Sequence, residues 1–191
     1  FYHRVYMGRL IYRSSLFIKE NNMRIKNKGK AKEWLRAVID AAVILLIMFV
    51  FLWPTKVEGV SMCPSVNDND RVAICRFAAF ADMYGRGDLV VFDMDDYKEN
   101  MIKRIIAVGG DTVLIKDGNV YVNGELVHED YIQCYTDGYV YMSVPTDSVF
   151  VMGDNREKSI DSRRFGTVKK DDIYGKVLLR YFPFNKITIF G

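Results

Sequence analysis

The stretch "MIKRIIAVGGDTVLIKDGNVYVNGELV", residues 101–127, decides the fold class. Its β-branched residues come in short runs separated by glycine-rich steps. Residues 101–108 read as one strand, stopped by Gly109-Gly110. Residues 112–127 read as a hairpin about Asp117-Gly118, with a second turn at Asn123-Gly124, because two-residue loops of this kind suit the tight turns between antiparallel strands. The pattern recurs on both sides. "DLVVF" (88–92) follows a Gly-Arg-Gly turn, and "SVFVMGD" (148–154) and "KVLLRYFPF" (176–184) are further strands. After Pro54 there is no long amphipathic period, no internal repeat and no low-complexity tract. The expectation is a mostly β protein whose body, residues 55–191, is an antiparallel β-sheet domain.

Upstream the character changes. "AAVILLIMFVFLW", residues 41–53, is an unbroken apolar run. Extended back to Ala37 it has seventeen residues, about 25 Å as a helix, close to a hydrocarbon core of roughly 30 Å. Trp34 and Trp53 stand at its ends, where amphipathic rings favour the interface. A cleavable leader is disfavoured because the exit, "PTKVEGVS", has no Ala-x-Ala step. A buried core helix fits poorly with the one-sided basic flank. Residues 37–54 are therefore expected to form a transmembrane signal-anchor helix. Residues 1–36 carry a charge of +8 and the remainder −5, within a net charge of +3. The basic segment 1–36 is expected in the cytoplasm and residues 55–191 outside. Residues 1–22 precede Met23 and read as an upstream extension, with Met23 as the natural start.

The 191 residues, half of them hydrophobic, allow one domain with appendages. The three cysteines, Cys63, Cys75 and Cys134, have no CxxC spacing, which disfavours zinc. They read as small buried hydrophobes, with a single bridge left open.

The chemistry starts at "VEGVSMCPSV", residues 57–66. A nucleophilic Ser61 needs a base. The sequence has two histidines: His3 falls in the basic N-terminal segment, and His128 sits in the charged "GELVHEDY". A lysine serves if it is neutral, which burial favours by penalising the ammonium. Strand alternation puts Lys103 on one face with Met101, Ile105 and Ala107, and Arg104 on the other with Ile102 and Ile106. By parity alone, a catalytic amine and a lysine snorkelling from an edge strand stand level. Ser159 alone reads as a turn hydroxyl. Cys63, two residues past Ser61, reads as a side chain beside the cleft.

Four segments then weigh together. "GVSMCPS" (59–65), "RGDLVVF" (86–92), "KRIIAVGGD" (103–111) and "GDNREKSIDSRRFG" (153–166) resemble, in order and spacing, the bacterial type I signal peptidases in their compact single-anchor form. The resemblance runs from about Met23 to the C-terminus. It implies Ser61 as nucleophile, Lys103 as general base, and Ser159 as the hydroxyl that hydrogen-bonds and orients the amine. It implies an oxyanion site with the Ser61 N–H as one donor. Some relatives add a serine hydroxyl two residues earlier, where this chain has Gly59, so the second donor is open between the Gly59 backbone, water and another group. Arg104, Asp154, Arg156, Asp161 and Arg163 are expected to be structural ion pairs, with Arg104–Asp154 one candidate. No metal or organic cofactor is implied.

The implied substrates are secretory preproteins with small residues at −3 and −1, held in extended form along a sheet edge. The implied partners are those preproteins and the lipid bilayer; nucleic acid is not among them, and a monomer is expected. Phe77–Phe80, "FAAF", fit either a rim that dips into the bilayer or a core strand. The rivals are a signal peptidase dedicated to a narrow set such as pilins, a self-cleaving repressor-type Ser/Lys protease, and a non-catalytic membrane-tethered β adaptor. The last has no reason to keep Ser61 and Lys103 in their matching motifs.

Overall fold

The computed structural model describes residues 30, 32–46, 52–94 and 97–190. The chain divides into two units, residues 1–49 and 50–191.

In the first unit, residues 32–46 form a helix, α1. Leu35, Val38, Ile39, Val43, Ile44, Leu45 and Leu46 are all exposed on it. Among the described residues no helix is long and apolar enough to cross a membrane. Residues 47–51 of the expected span lie outside the described residues, as do 1–29.

The expected boundary at residue 54 moves. Leu52–Lys56 form strand β1, with Trp53 opposite Ile74 and Pro54 opposite Ala73. An apolar run with no break reads alike in helix and strand, so its internal boundary is not visible in composition. Pro54 is tolerated because β1 is the edge of its sheet.

The second unit continues with β2 (Arg71–Cys75), helix α2 (Arg76–Phe80), β3 (Leu89–Met94), β4 (Tyr97–Val108), β5 (Thr112–Lys116), β6 (Asn119–Val122), β7 (Glu125–Leu126), β8 (Val140–Ser143), β9 (Ser148–Met152), helix α3 (Ser162–Phe165), β10 (Val168–Lys169), β11 (Ile173–Phe182) and β12 (Thr188–Ile189). The larger sheet runs β1-β2-β11-β3-β4-β9-β10, with β12 also on β11. The smaller runs β7-β6-β5-β8. Every described strand pair is antiparallel.

Both expected tight turns form. Asp117-Gly118 and Asn123-Gly124 have positive φ at both residues, as the mirror-image hairpin turn requires. The apolar runs fill three clusters, and period-2 alternation sorts them. On β9, Val149 and Val151 enter one cluster while Phe150 and Met152 enter another, with Ile106, Val113 and Val122. On β3, Leu89 and Val91 face Met62 and Ile74, while Val90 and Phe92 join Ile105. These central strands are buried on both faces, which explains why they read as continuous apolar runs.

Two expectations about local structure change. Residues 77–80 lie in α2, not in a core strand: Ala78 is buried, and Phe77 and Phe80 are exposed. The alternation along β4 holds from Met101 to Ile105 and then breaks, since the pairing with β9 shifts register between Ile105 and Ala107. Ile105 packs with Met101 and Val90, but Ala107 packs with Ile106 in a different cluster. The extra residue of a bulge moves the residues beyond it to the other face.

Candidate active site

Ser61 opens a turn of the chain, residues 61–65, between β1 and β2. Val57 anchors the approach through hydrogen bonds with Asp70 and Asn69. Gly59 has φ of +96°, a conformation that disfavours any side chain, and its N–H donates to Asp68 Oδ1 at 2.8 Å. Met62 is buried below, and Val66 N–H closes the turn on Met62 O at 2.9 Å. Arg180 holds the far end, donating to Ser65 O at 2.8 Å and Asp70 Oδ2 at 3.1 Å.

Lys103 reaches this turn from β4, an interior strand between β3 and β9. Its residue is only 4% exposed. Nζ lies 2.9 Å from Ser61 Oγ and donates to Ile102 O at 3.1 Å. Burial lowers the amine from 10.5 to about 8, although the Asp161 and Asp154 carboxylates pull it upward. Desolvation therefore wins over two opposite charges. The edge-strand alternative, a lysine snorkelling to water, does not describe this side chain.

The expected ion pairs form and build the wall behind the amine. Arg104, on the opposite face of β4, donates to Asp154 Oδ1 at 2.8 Å and Oδ2 at 2.6 Å. It also donates to Gly87 O and Ser65 Oγ. Arg163 donates to both Asp161 oxygens, at 2.8 and 2.9 Å. Burial raises the Asp161 carboxyl, but Arg163 and the Gly153 N–H outweigh it and hold it below the usual carboxylate range. A group held ionised in this way is a poor proton shuttle. Arg156 donates to Glu129 Oε2 at 2.9 Å and to Gly153 O at 3.1 Å, with Glu129 Oε1 and Thr136 as further partners. Tyr131 links the two systems: the Arg104 guanidinium lies 4.0 Å from its ring centroid, and its hydroxyl donates to Glu129 at 2.8 Å.

Ser159 departs from expectation. It is buried beside the site, but Lys103 Nζ bonds Ser61 and Ile102 instead, and the Ser159 hydroxyl helps to hold the Asp161 carboxyl low. Gly153 separates Ser159 from the nucleophile turn: a Cβ built there would lie 2.3 Å from Ser159 Oγ and 2.5 Å from Ser61 O. The Gly59 backbone is not a free oxyanion donor either, because Asp68 takes its N–H.

His128 is exposed and lies 2.8 Å from Asp130. Cys63 Sγ contacts Asn67 Oδ1 at 3.4 Å, and all three cysteines are free and half-buried rather than buried as expected. Among the described residues no group of His, Cys, Asp and Glu is arranged to hold a metal. Sequence reasoning missed Glu129, Thr136, Tyr131 and Ser65, since isolated polar residues in loops carry no periodic signal. It also passed over Asn155, which lies inside "GDNR" and bonds the turn twice, through its backbone N–H to Ser61 O and its side chain to Val60 O.

A hydroxyl within hydrogen-bond reach of a desolvated amine, backed by ionised pairs that cannot compete for its proton, is an arrangement for nucleophilic acyl transfer. The comparisons agree with that class. Residues 31–182 match the family model described as signal peptidase, peptidase S26. A signal peptidase I of Bacillus licheniformis is 36% identical over 173 residues, 84% of this chain and 93% of the relative. Signal peptidase I S of Bacillus subtilis (strain 168) is 35% identical over 182 residues, covering 86% of this chain and 98% of the relative. A signal peptidase I of Bacillus amyloliquefaciens is 34% identical over 183 residues, covering 89% and 98%. The chain belongs to the signal peptidase family S26.

Proposed function

We propose that this chain is a membrane-anchored signal peptidase I, a serine endopeptidase that removes signal peptides from secretory preproteins with Ser61 as nucleophile and neutral Lys103 as general base. The family membership carries the activity. The observation that carries the mechanism is the 2.9 Å approach of Ser61 Oγ and Lys103 Nζ at a buried amine.

In the first step the Ser61 hydroxyl donates to the neutral amine. Oγ bonds to the scissile carbonyl carbon as its proton passes to Nζ. The carbonyl oxygen becomes the oxyanion, facing the Ser61 N–H. On collapse the C–N bond breaks and the Lys103 ammonium protonates the leaving amine, the new N-terminus of the mature protein. The amine, neutral again, takes a proton from water, which attacks the acyl ester and releases the signal peptide.

The substrate is an extended segment with small residues at −3 and −1, added to the strands beside the Ser61 turn. Residues 1–36 lie in the cytoplasm, the apolar run from Ala37 anchors the enzyme, and the β domain works outside as a monomer. The exposed apolar side chains all around α1 support a lipid environment for that segment.

The test is cleavage of a purified preprotein by the full chain in detergent, read by product mass. Ser61→Ala and Lys103→Ala should each abolish cleavage while leaving the thermal transition in place. Near-normal cleavage by Lys103→Ala would end the mechanism.

A further inference from the structure

We propose that Asn155 is a positioning residue for the oxyanion donor, acting through the peptide unit that joins Val60 to Ser61. The inference rests on Ser61 being the nucleophile.

The C=O of Val60 and the N–H of Ser61 belong to one planar trans peptide, so they point in opposite directions. Asn155 Nδ2 donates to Val60 O at 3.1 Å. Asn155 N–H donates to Ser61 O at 3.0 Å. One residue thus grips the carbonyls on both sides of the nucleophile, and the Cys63 N–H adds a second bond to Val60 O at 3.2 Å. The Ser61 N–H meets no acceptor among the described residues, whereas the Gly59 N–H is already bonded to Asp68. Fixing Val60 O therefore fixes the direction of the Ser61 N–H, which is left to meet the oxyanion. A bond to the carbonyl of a peptide also polarises the same unit and makes its N–H a stronger donor.

Asn155 is itself held rigidly. Its neighbours are Asp154, locked to Arg104, and Arg156, locked to Glu129, both buried. Its own carbonyl accepts from Lys158 N–H at 3.1 Å. The residue type fits the task. An asparagine side chain has the N–H donor that Val60 O needs, and an aspartate of the same shape has none.

The experiment uses full-length enzyme in detergent, with a peptide substrate, a peptide aldehyde and an uncleavable amide analogue of the same sequence. Ser61 Oγ adds to the aldehyde carbon, its proton passing to Lys103, and the aldehyde oxygen becomes the tetrahedral oxyanion. The amide analogue binds without that step. Asn155→Ala should lower kcat roughly 10- to 100-fold, as expected when an oxyanion donor is misaimed rather than deleted. KM and the midpoint of the pH profile should stay in place. Affinity for the aldehyde should fall by the same factor as kcat/KM, with the amide analogue unaffected. Asn155→Leu, which keeps the shape and the backbone bond without adding a charge, should behave alike and carries the test should Asn155→Ala fail to fold. An unchanged kcat, a loss confined to KM, a shifted pH midpoint, or parallel weakening of aldehyde and amide would each overturn the proposal. Ser61→Ala is the control. Cleavage surviving in Ser61→Ala removes the Ser/Lys reading and this inference together. Cleavage lost there but normal in the Asn155 variants removes this inference alone.

Discussion

At the scale of single residues, Lys103 links activity and stability with opposite signs. With its neutral form as the proposed base, kcat/KM should rise with pH through about 8 and level off above it. Near pH 7 about a tenth of the amine is neutral. The folded value lies below the ordinary 10.5, so the unfolded chain binds the extra proton between pH 8 and 10.5. Folding stability should therefore rise with pH across that window, and the penalty is full below pH 8. The shift corresponds to about 3 kcal/mol. Lys103→Met should abolish cleavage yet raise stability at pH 7 by about 1–3 kcal/mol, the gain fading toward pH 10.5, as urea unfolding at several pH values would record. Gly153 gives a second test. Its missing Cβ leaves room for Ser159 Oγ and Ser61 O. Gly153→Ala should push the nucleophile turn away from the amine, lowering kcat about 100-fold and stability by about 1–3 kcal/mol. Loss of one without the other would separate positioning from packing. Ser61 and Lys103, which the structure brings within 2.9 Å, stood out in the sequence because each lies in a distinct motif. The lack of any bond from the Ser159 hydroxyl to the amine depends on hydroxyl orientation, which no motif encodes.

At the scale of elements, legibility followed the physics of each signal. β3, β4, β5, β6, β9 and β11 were visible because β-branched runs met glycine-containing turns. β1 was hidden inside a longer apolar run. α2 was hidden because five residues are too few to show a helical period. β8 has alternating burial but is short and carries Tyr141 outward. The bulge in β4 is a property of pairing with β9, so one strand's sequence does not announce it. The loop between β7 and β8 was unreadable for a related reason: Glu129 acquires meaning only against Arg156, twenty-seven positions away. Both side chains of this pair are almost fully buried. Removing one partner of such a pair strands the other charge. Glu129→Ala should destabilise the β domain by about 3 kcal/mol, seen as a lowered Tm with the pH midpoint of activity unmoved. A variant as stable as the parent would mean that water reaches Arg156.

At the scale of the whole molecule, the proposed anchoring raises the question of how the β domain would meet a substrate at a bilayer. The chain itself supplies a constraint. Leu52, the first residue of β1, pairs with Cys75, the last residue of β2, and α2 begins at the next position. α2 therefore lies at the sheet end where the chain enters β1. Phe80 on α2 is 89% exposed, and Met83 just beyond it is 60% exposed. Apolar side chains held there lower their free energy by entering the interface, at about 1.5–3 kcal/mol for a phenylalanine. Phe80→Asp should therefore slow cleavage of a membrane-inserted preprotein in phosphatidylglycerol–phosphatidylcholine vesicles roughly tenfold. Cleavage of a short peptide in detergent should not change, because no bilayer is involved. Equal rates for parent and variant in vesicles would show that α2 stays in water, and a matching loss in detergent would show that Phe80 serves the fold instead of the membrane.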